Sequence, residues 1–203
     1  MLTHRDTEET SMGQRIILTI RIFTILLGIF CLTGAEAGAS KYKRSIENVT
    51  IPDVVLVNQQ GEKVRLKSLL ETDQPVLVDF IYATCTTICP ILSAGFANFQ
   101  REVGPETKNV RLVSITIDPE NDTPSAMKEY LERYQAQPGW DFLTGSRQDV
   151  DRVMKAFNAY FRSKMDHQPL SFIRSQEDGK WIRLYGLMSS SDLMKEFQQR
   201  GGK

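Results

Sequence analysis

Two cysteines and a histidine have the types and spacing for chemistry in this chain. Cys85 and Cys89 lie in Thr84-Cys85-Thr86-Thr87-Ile88-Cys89-Pro90, between an apolar run at 76–82 (VLVDFIY) and a stretch of helical spacing that opens at Pro90. The pair therefore sits where a buried strand gives way to the start of a helix. Unpaired backbone N–H groups and the helix dipole stabilise negative charge at such a junction, so thiols there ionise more readily. Thiolates are both the nucleophiles of disulfide exchange and the ligands of soft metals, and the position alone permits either. Three residues separate the cysteines, so the sulfurs fall at i and i+4 and could converge on one ion. Two soft sulfurs favour copper, Cu(I) above all, and an added imidazole also makes Cu(II) acceptable. Zinc is the rival, because two cysteines, a histidine and a water form a known zinc arrangement. A structural disulfide, or a pair of half-buried core thiols, is the plainest alternative.

The chain has two histidines. His4 precedes an apolar N-terminal segment and is set aside. His167 lies in Met165-Asp166-His167-Gln168-Pro169, a polar loop just before a strand pattern at 170–174. A lone loop histidine is most often plain surface. In a thioredoxin-like topology, however, the loop before this late strand faces the junction that carries the cysteines. His167 could then complete a three-coordinate site, with Asp166 or a backbone carbonyl fixing its tautomer. Asp118, at the end of a neighbouring strand pattern, belongs on the rim.

The elements that must position these groups are legible as alternating patterns. Residues 50–57 and 63–66 read as a hairpin closed by a turn containing Gly61. The run at 76–82 is apolar almost throughout, as in a strand buried on both faces. Ile91, Leu92, Phe96, Phe99 and Val103 recur at helical spacing, and Pro90 suits the first turn, where its missing N–H costs nothing. A second strong strand spans 110–117, a helix follows Thr123-Pro124, a short strand is expected at 140–143, and a third helix at 147–161. A second hairpin joins 170–174 to 181–185, and a helix at 189–199 closes the chain. The fold class is α/β: a thioredoxin-like fold with a central mixed sheet, helices on both faces, an N-terminal hairpin and a late hairpin insertion. Trp140, Phe142, Phe157 and Phe161 are expected in the core, and Lys63, Lys67, Lys128 and Lys155 on the solvated surface.

Bulk composition excludes several classes. The 41% hydrophobic content is enough for a buried core, so disorder is not expected. Basic and acidic residues number 25 each and are interspersed, which leaves no positive face for nucleic acid. Residues 16–33 form an apolar stretch broken only by Arg21, followed by Ala35-Glu36-Ala37, an A-x-A cleavage pattern. With Arg15 and Arg21 as its charge, 22–33 as its apolar centre and Met12 as the start, this reads as a secretory signal; uncleaved, it just reaches the roughly 20 residues of a membrane anchor. Phe30 is too bulky for lipoprotein processing at Cys31. Residues 1–39 are thus read as export signal or anchor and 40–203 as the working domain. Either way the domain is periplasmic or otherwise extracytoplasmic, free or tethered to the inner membrane.

With these residues in place, the chain resembles the Sco/SenC family of copper-binding proteins involved in cytochrome c oxidase assembly. VDFIYATCTTICP (78–90), VSITIDPENDTP (113–124) and DHQPLSFIRSQEDGKWIRLYG (166–186) carry the resemblance, with the D-x-x-L-x-x-x-x-G hairpin at 53–61; it covers roughly residues 47–200. The resemblance implies that Cys85, Cys89 and His167 are copper ligands. It implies a chaperone that receives the metal from a donor protein and hands it to the CuA-bearing subunit of cytochrome c oxidase or another exported copper protein, or that reduces the CuA cysteines. The family often has Pro after the first cysteine; here Thr86 leaves that loop less constrained. The alternative function is a thiol–disulfide oxidoreductase for exported proteins, in which Cys85, at the exposed end of the loop, attacks and Cys89 resolves. His167 separates the two, since copper binding needs it and exchange does not. Peroxide reduction fits less well, because no basic residue lies in the 83–92 loop to activate a cysteine.

Overall fold

The computed structural model describes residues 42–104, 110–176 and 178–199. The signal or anchor expected within 1–39 lies outside the described residues, as do His4 and Cys31. Among the described residues no helix is long and apolar enough to cross a membrane.

Strands β1 (Lys43–Glu47), β4 (Val76–Ile81), β5 (Arg111–Thr116), β6 (Trp140–Leu143), β7 (Leu170–Arg174) and β8 (Trp181–Tyr185) form one sheet in the order β1-β8-β7-β4-β5-β6. β4, β5 and β6 run parallel, while β7, β8 and β1 pair antiparallel. The expected mixed sheet is thus present, and the late hairpin β7–β8 is built into it. β2 (Val55–Val57) and β3 (Lys63–Arg65) form a separate two-stranded sheet. Its turn is closed by Gly61 at φ 82° and by the Asn58 side chain, whose oxygen accepts the N–H groups of Gln60 and Glu62. The hairpin is stapled to the end of β6 by reciprocal backbone bonds between Val57 and Thr144.

Side chains alternate across a strand, and the register sorts them into two layers. Leu77, Asp79 and Ile81 share a face with Leu112, Ser114, Thr116, Trp140 and Phe142. Helices α2 (Cys89–Val103) and α3 (Pro124–Arg133) cover that face. Phe96 meets Trp140 at 5.6 Å between ring centres, Tyr130 meets Phe142 at 5.6 Å, and the Ser93 and Tyr130 hydroxyls bond at 2.7 Å. α5 (Ser190–Gln198) packs on α2 through Phe99 and Phe197. On the opposite face Phe157, just after α4 (Arg147–Ala156), lies edge-on against Phe80, Phe172 and Trp181. Helices therefore flank both faces. Each such buried aromatic stabilises the fold by about 1.5–3 kcal/mol in transfer terms.

Two elements are additional to the sequence reading and two boundaries are shifted, each for a local reason. β1 carries no hydrophobic alternation because it is a mostly exposed edge strand. The first hairpin strand begins only at Val55, since Pro52 has no N–H to give a ladder and its carbonyl closes a turn on Val54. A five-residue helix, α1 (Leu66–Leu70), follows β3 and is too short for periodicity to reveal. The helix expected at 147–161 stops at Ala156, because Asn158 takes φ 51°, a left-handed conformation that asparagine tolerates.

Candidate metal centre

The sheet order brings the site together. β7, β4 and β5 are consecutive neighbours. β4 and β5 are parallel, so the segments leaving them emerge at one end of the sheet; β7 runs the other way, so the segment entering it arrives at that same end. The cysteine loop follows β4, the Asp118 turn follows β5, and the histidine turn, a single 3₁₀ turn over Lys164–Asp166, precedes β7.

Cys85 closes the loop with its N–H on the Tyr82 carbonyl, and Cys89 begins α2 with Pro90 in the first turn, as the sequence indicates. The Cys89 backbone N–H donates to Cys85 Sγ at 3.4 Å, one of the orphan donors of the helix start turned toward sulfur. Cys89 Sγ lies 3.3 Å from His167 Nε2. The two sulfurs and an imidazole nitrogen all lie within 4.8 Å of one another. Three sequence-predicted ligands are thus one cluster. The thiols are not bonded to each other. Cys85 is buried, against the exposed position expected for it, although it is the more open of the two, at 6% exposure against 0% for Cys89.

The electrostatics of the pair are asymmetric. Burial works against ionisation of Cys85, but hydrogen bonds from Cys89 and Thr87 outweigh it and lower its pKa. Burial, and then the bond to Cys85, drives the Cys89 pKa strongly upward. Burial lowers the pKa of His167, so the ring is neutral at neutral pH. Its Nδ1–H donates to the Lys164 carbonyl at 3.1 Å, which leaves the Nε2 lone pair facing the sulfurs. That carbonyl fixes the tautomer; Asp166 is exposed. The Tyr82 ring stands edge-on to the imidazole at 5.4 Å.

The donor set fits a soft ion. Bonds of about 2.0–2.3 Å to nitrogen and sulfur place ligand atoms about 3.5–4 Å apart, within the separations present here. Thiolate and imidazole donors suit Cu(I), Cu(II) and Zn(II) alike, so the geometry alone leaves the metal open.

Two supporting residues, Asp79 and Asp122, were not singled out in the sequence. Asp79 stands in the middle of β4, fully buried, with no hydrogen bond to either oxygen; burial raises its pKa from 3.8 to about 7. Its signal was a charge inside an otherwise apolar strand. Asp122 accepts the Thr116 hydroxyl and the Ala83 N–H, anchoring the start of the cysteine loop. Asp118, expected on the rim, bonds Lys164 Nζ at 2.6 Å. Met165 is exposed, its sulfur 4.0 Å from the Tyr82 hydroxyl, and Met188 is buried.

A thioredoxin-like sheet carrying a Cys-x-x-x-Cys junction and a distant histidine in one cluster defines a class of thiol- and metal-handling proteins. The chain belongs to the SCO1/SenC family, whose model matches residues 44–196. It is 32% identical over 166 residues to the SCO1 protein homolog of Bacillus subtilis, covering 78% of this chain and 84% of that protein. Among solved structures it resembles BsSco, a member of the Sco family of cytochrome c oxidase assembly proteins with an identified disulfide switch, at 29% identity and TM-score 0.64, covering 77% of this chain and 95% of that one. It also resembles Bradyrhizobium japonicum ScoI, solved with copper bound, at 25% identity and TM-score 0.62 over 74% of this chain and 99% of that one.

Proposed function

We propose that the protein binds one copper ion between Cys85, Cys89 and His167 and serves cytochrome c oxidase assembly by delivering the metal to the CuA-bearing subunit. The observation that carries this reading is the convergence of two sulfurs and a tautomer-fixed imidazole within 4.8 Å. Copper-bound relatives with the same fold support the choice of metal. Transfer proceeds by ligand exchange: a three-coordinate site admits an incoming thiolate or imidazole, with His167 the most exposed of the three ligands and Cys85 the more open of the two sulfurs. The domain works outside the cytoplasm, a reading supported by the apolar run at 16–33 and the Ala35-Glu36-Ala37 pattern. N-terminal sequencing of the exported protein decides between cleaved signal and anchor.

The test is copper titration of the reduced protein beside His167→Ala. Tight 1:1 binding should weaken by at least about tenfold in the variant, as loss of a ligand demands; binding indifferent to His167 refutes the three-ligand site. A second reading, thiol–disulfide exchange on the CuA cysteines or other exported proteins, is favoured by the opposed pKa shifts of Cys85 and Cys89. The two activities compete for the same sulfurs. Weak copper binding that ignores His167, together with facile disulfide exchange through Cys85 and Cys89, would leave the second reading standing alone.

A further inference from the structure

The turn after β5 grips both ligand-bearing segments, and Lys164 is its link to the histidine. Asp118 is buried at the end of that strand, and Asn121 Nδ2 donates to both of its oxygens at 3.0 and 3.1 Å. Four residues on, Asp122 takes the Thr116 hydroxyl at 2.5 Å and the Ala83 N–H at 3.1 Å, two residues ahead of Cys85. The cysteine loop is thereby fixed to the turn. On the other side, Lys164 reaches Asp118 Oδ2 with its ammonium at 2.6 Å, and its own carbonyl holds His167 Nδ1 at 3.1 Å. The same ammonium lies 5.3 Å from the centre of the Tyr82 ring, whose edge contact orients the imidazole.

Lys164 thus has its head group on the turn that holds the cysteine loop and its backbone on the third ligand. We propose that the Lys164–Asp118 ion pair is a positioning device that sets the histidine turn against the cysteine loop and keeps His167 Nε2 within reach of the sulfurs. The inference rests on the copper-binding reading for its consequence but not for its geometry. Asp118 is buried and its carboxylate is already held by Asn121, so only the lysine side chain is ordered when the pair closes; an isolated surface pair must order both partners. Without the ammonium, the 3₁₀ turn is held by the Ser163 hydroxyl on the Met165 N–H at 3.2 Å and by its own backbone. Short 3₁₀ turns have poor hydrogen-bond geometry, so a turn released from its side-chain anchor samples more than one orientation.

The experiment compares the purified full-length protein with Lys164→Met and Lys164→Arg, and with His167→Ala as a reference. In the metal-free protein, amide exchange of residues 164–168 and the 15N shifts of the His167 ring report the turn directly. Lys164→Met should speed exchange there and mix the ring tautomers, while amide exchange in β4 and β5 stays at the wild-type rate. In the Cu(I)-loaded protein, release to excess bicinchoninate should quicken by about tenfold, as for other groups that orient a ligand from outside the coordination shell. Lys164→Arg keeps the charge and should recover most of both effects. Wild-type exchange, tautomer and release in Lys164→Met would overturn the proposal. If the wild-type protein binds copper without regard to His167, the copper reading fails by itself, and the metal-free exchange data still decide whether the pair positions the turn.

Discussion

Asp79 places a carboxyl group where the sheet is most deeply covered, and its titration should be visible as a stability change. The residue sits on β4 between Val78 and Phe80, beneath α2 and α3, with neither oxygen hydrogen-bonded. Burial raises its pKa from 3.8 to about 7, with the Ser114 hydroxyl alongside opposing the rise. In the unfolded chain the group ionises near its ordinary value. Between the two values the folded protein therefore holds a proton that the unfolded chain has lost, and folding stability falls as pH rises through that window. A shift of about three units, at about 1.4 kcal/mol per unit, sets a ceiling of about 4 kcal/mol on the loss. Asp79→Asn keeps the shape and removes the titration, but leaves an amide that itself lacks partners, at a cost of about 1–3 kcal/mol. Urea unfolding of the reduced wild-type and variant proteins, from about pH 4 to about pH 8, isolates the effect in the difference between the two curves. The variant should gain about 2–4 kcal/mol relative to wild type across that range and be the more stable protein at its alkaline end. Parallel curves would refute the argument, because they would mean the carboxyl is solvated or paired in the folded state.

Two further outcomes follow from the packing and from the thiol pair. Phe157 is fully buried against Phe80, Phe172 and Trp181, so Phe157→Ala should cost about 3–5 kcal/mol in the same unfolding assay. A loss below about 1 kcal/mol would show that the cavity collapses or that the ring is not core. Under reducing conditions at neutral pH, iodoacetamide should label Cys85 well before Cys89, since the Cys85 pKa is lowered and that of Cys89 is strongly raised. Peptide mapping reads the order, and labelling at equal rates would remove the asymmetry on which the exchange reading depends.

Local chemistry in the sequence sufficed for the ligands but not for what holds them. The cysteines were legible because a strand with no polar alternation ends directly before Cys-x-x-x-Cys-Pro, and a proline in the first turn marks where the helix must start. His167 was legible only through the order of elements, since nothing in Met165-Asp166-His167 distinguishes it from a surface histidine. The source of its tautomer could be narrowed to Asp166 or a carbonyl, and only the 3₁₀ turn shows that it is the Lys164 carbonyl. The Lys164–Asp118 pair joins residues 46 apart, and its formation depends on β7 lying antiparallel beside β4. No periodicity encodes such a contact. Likewise β1 pairs with β8 across the length of the domain through backbone bonds, which its polar sequence does not announce.

The opposed pKa values of the two thiols suit both chemistries proposed for the site. Disulfide exchange needs one accessible sulfur that ionises readily and a second that stays protonated until it resolves the mixed disulfide; Cys85 and Cys89 divide those roles. Copper binding through both sulfurs needs both deprotonated, so Cys89 must lose a proton that burial otherwise holds in place. The metal's charge is what makes that loss favourable, and departure of the metal returns a protonated, inert Cys89 beside a reactive Cys85. On the proposed function, handing over the ion and presenting a thiolate would be successive states of the same junction. His167 is a ligand in the first alone: its neutral Nε2 offers a lone pair to a cation and supplies no atom to the bond between the sulfurs, although at 3.3 Å it can accept the proton that Cys89 gives up. A histidine variant that exchanges disulfides but does not hold copper is therefore the protein in which the two functions come apart.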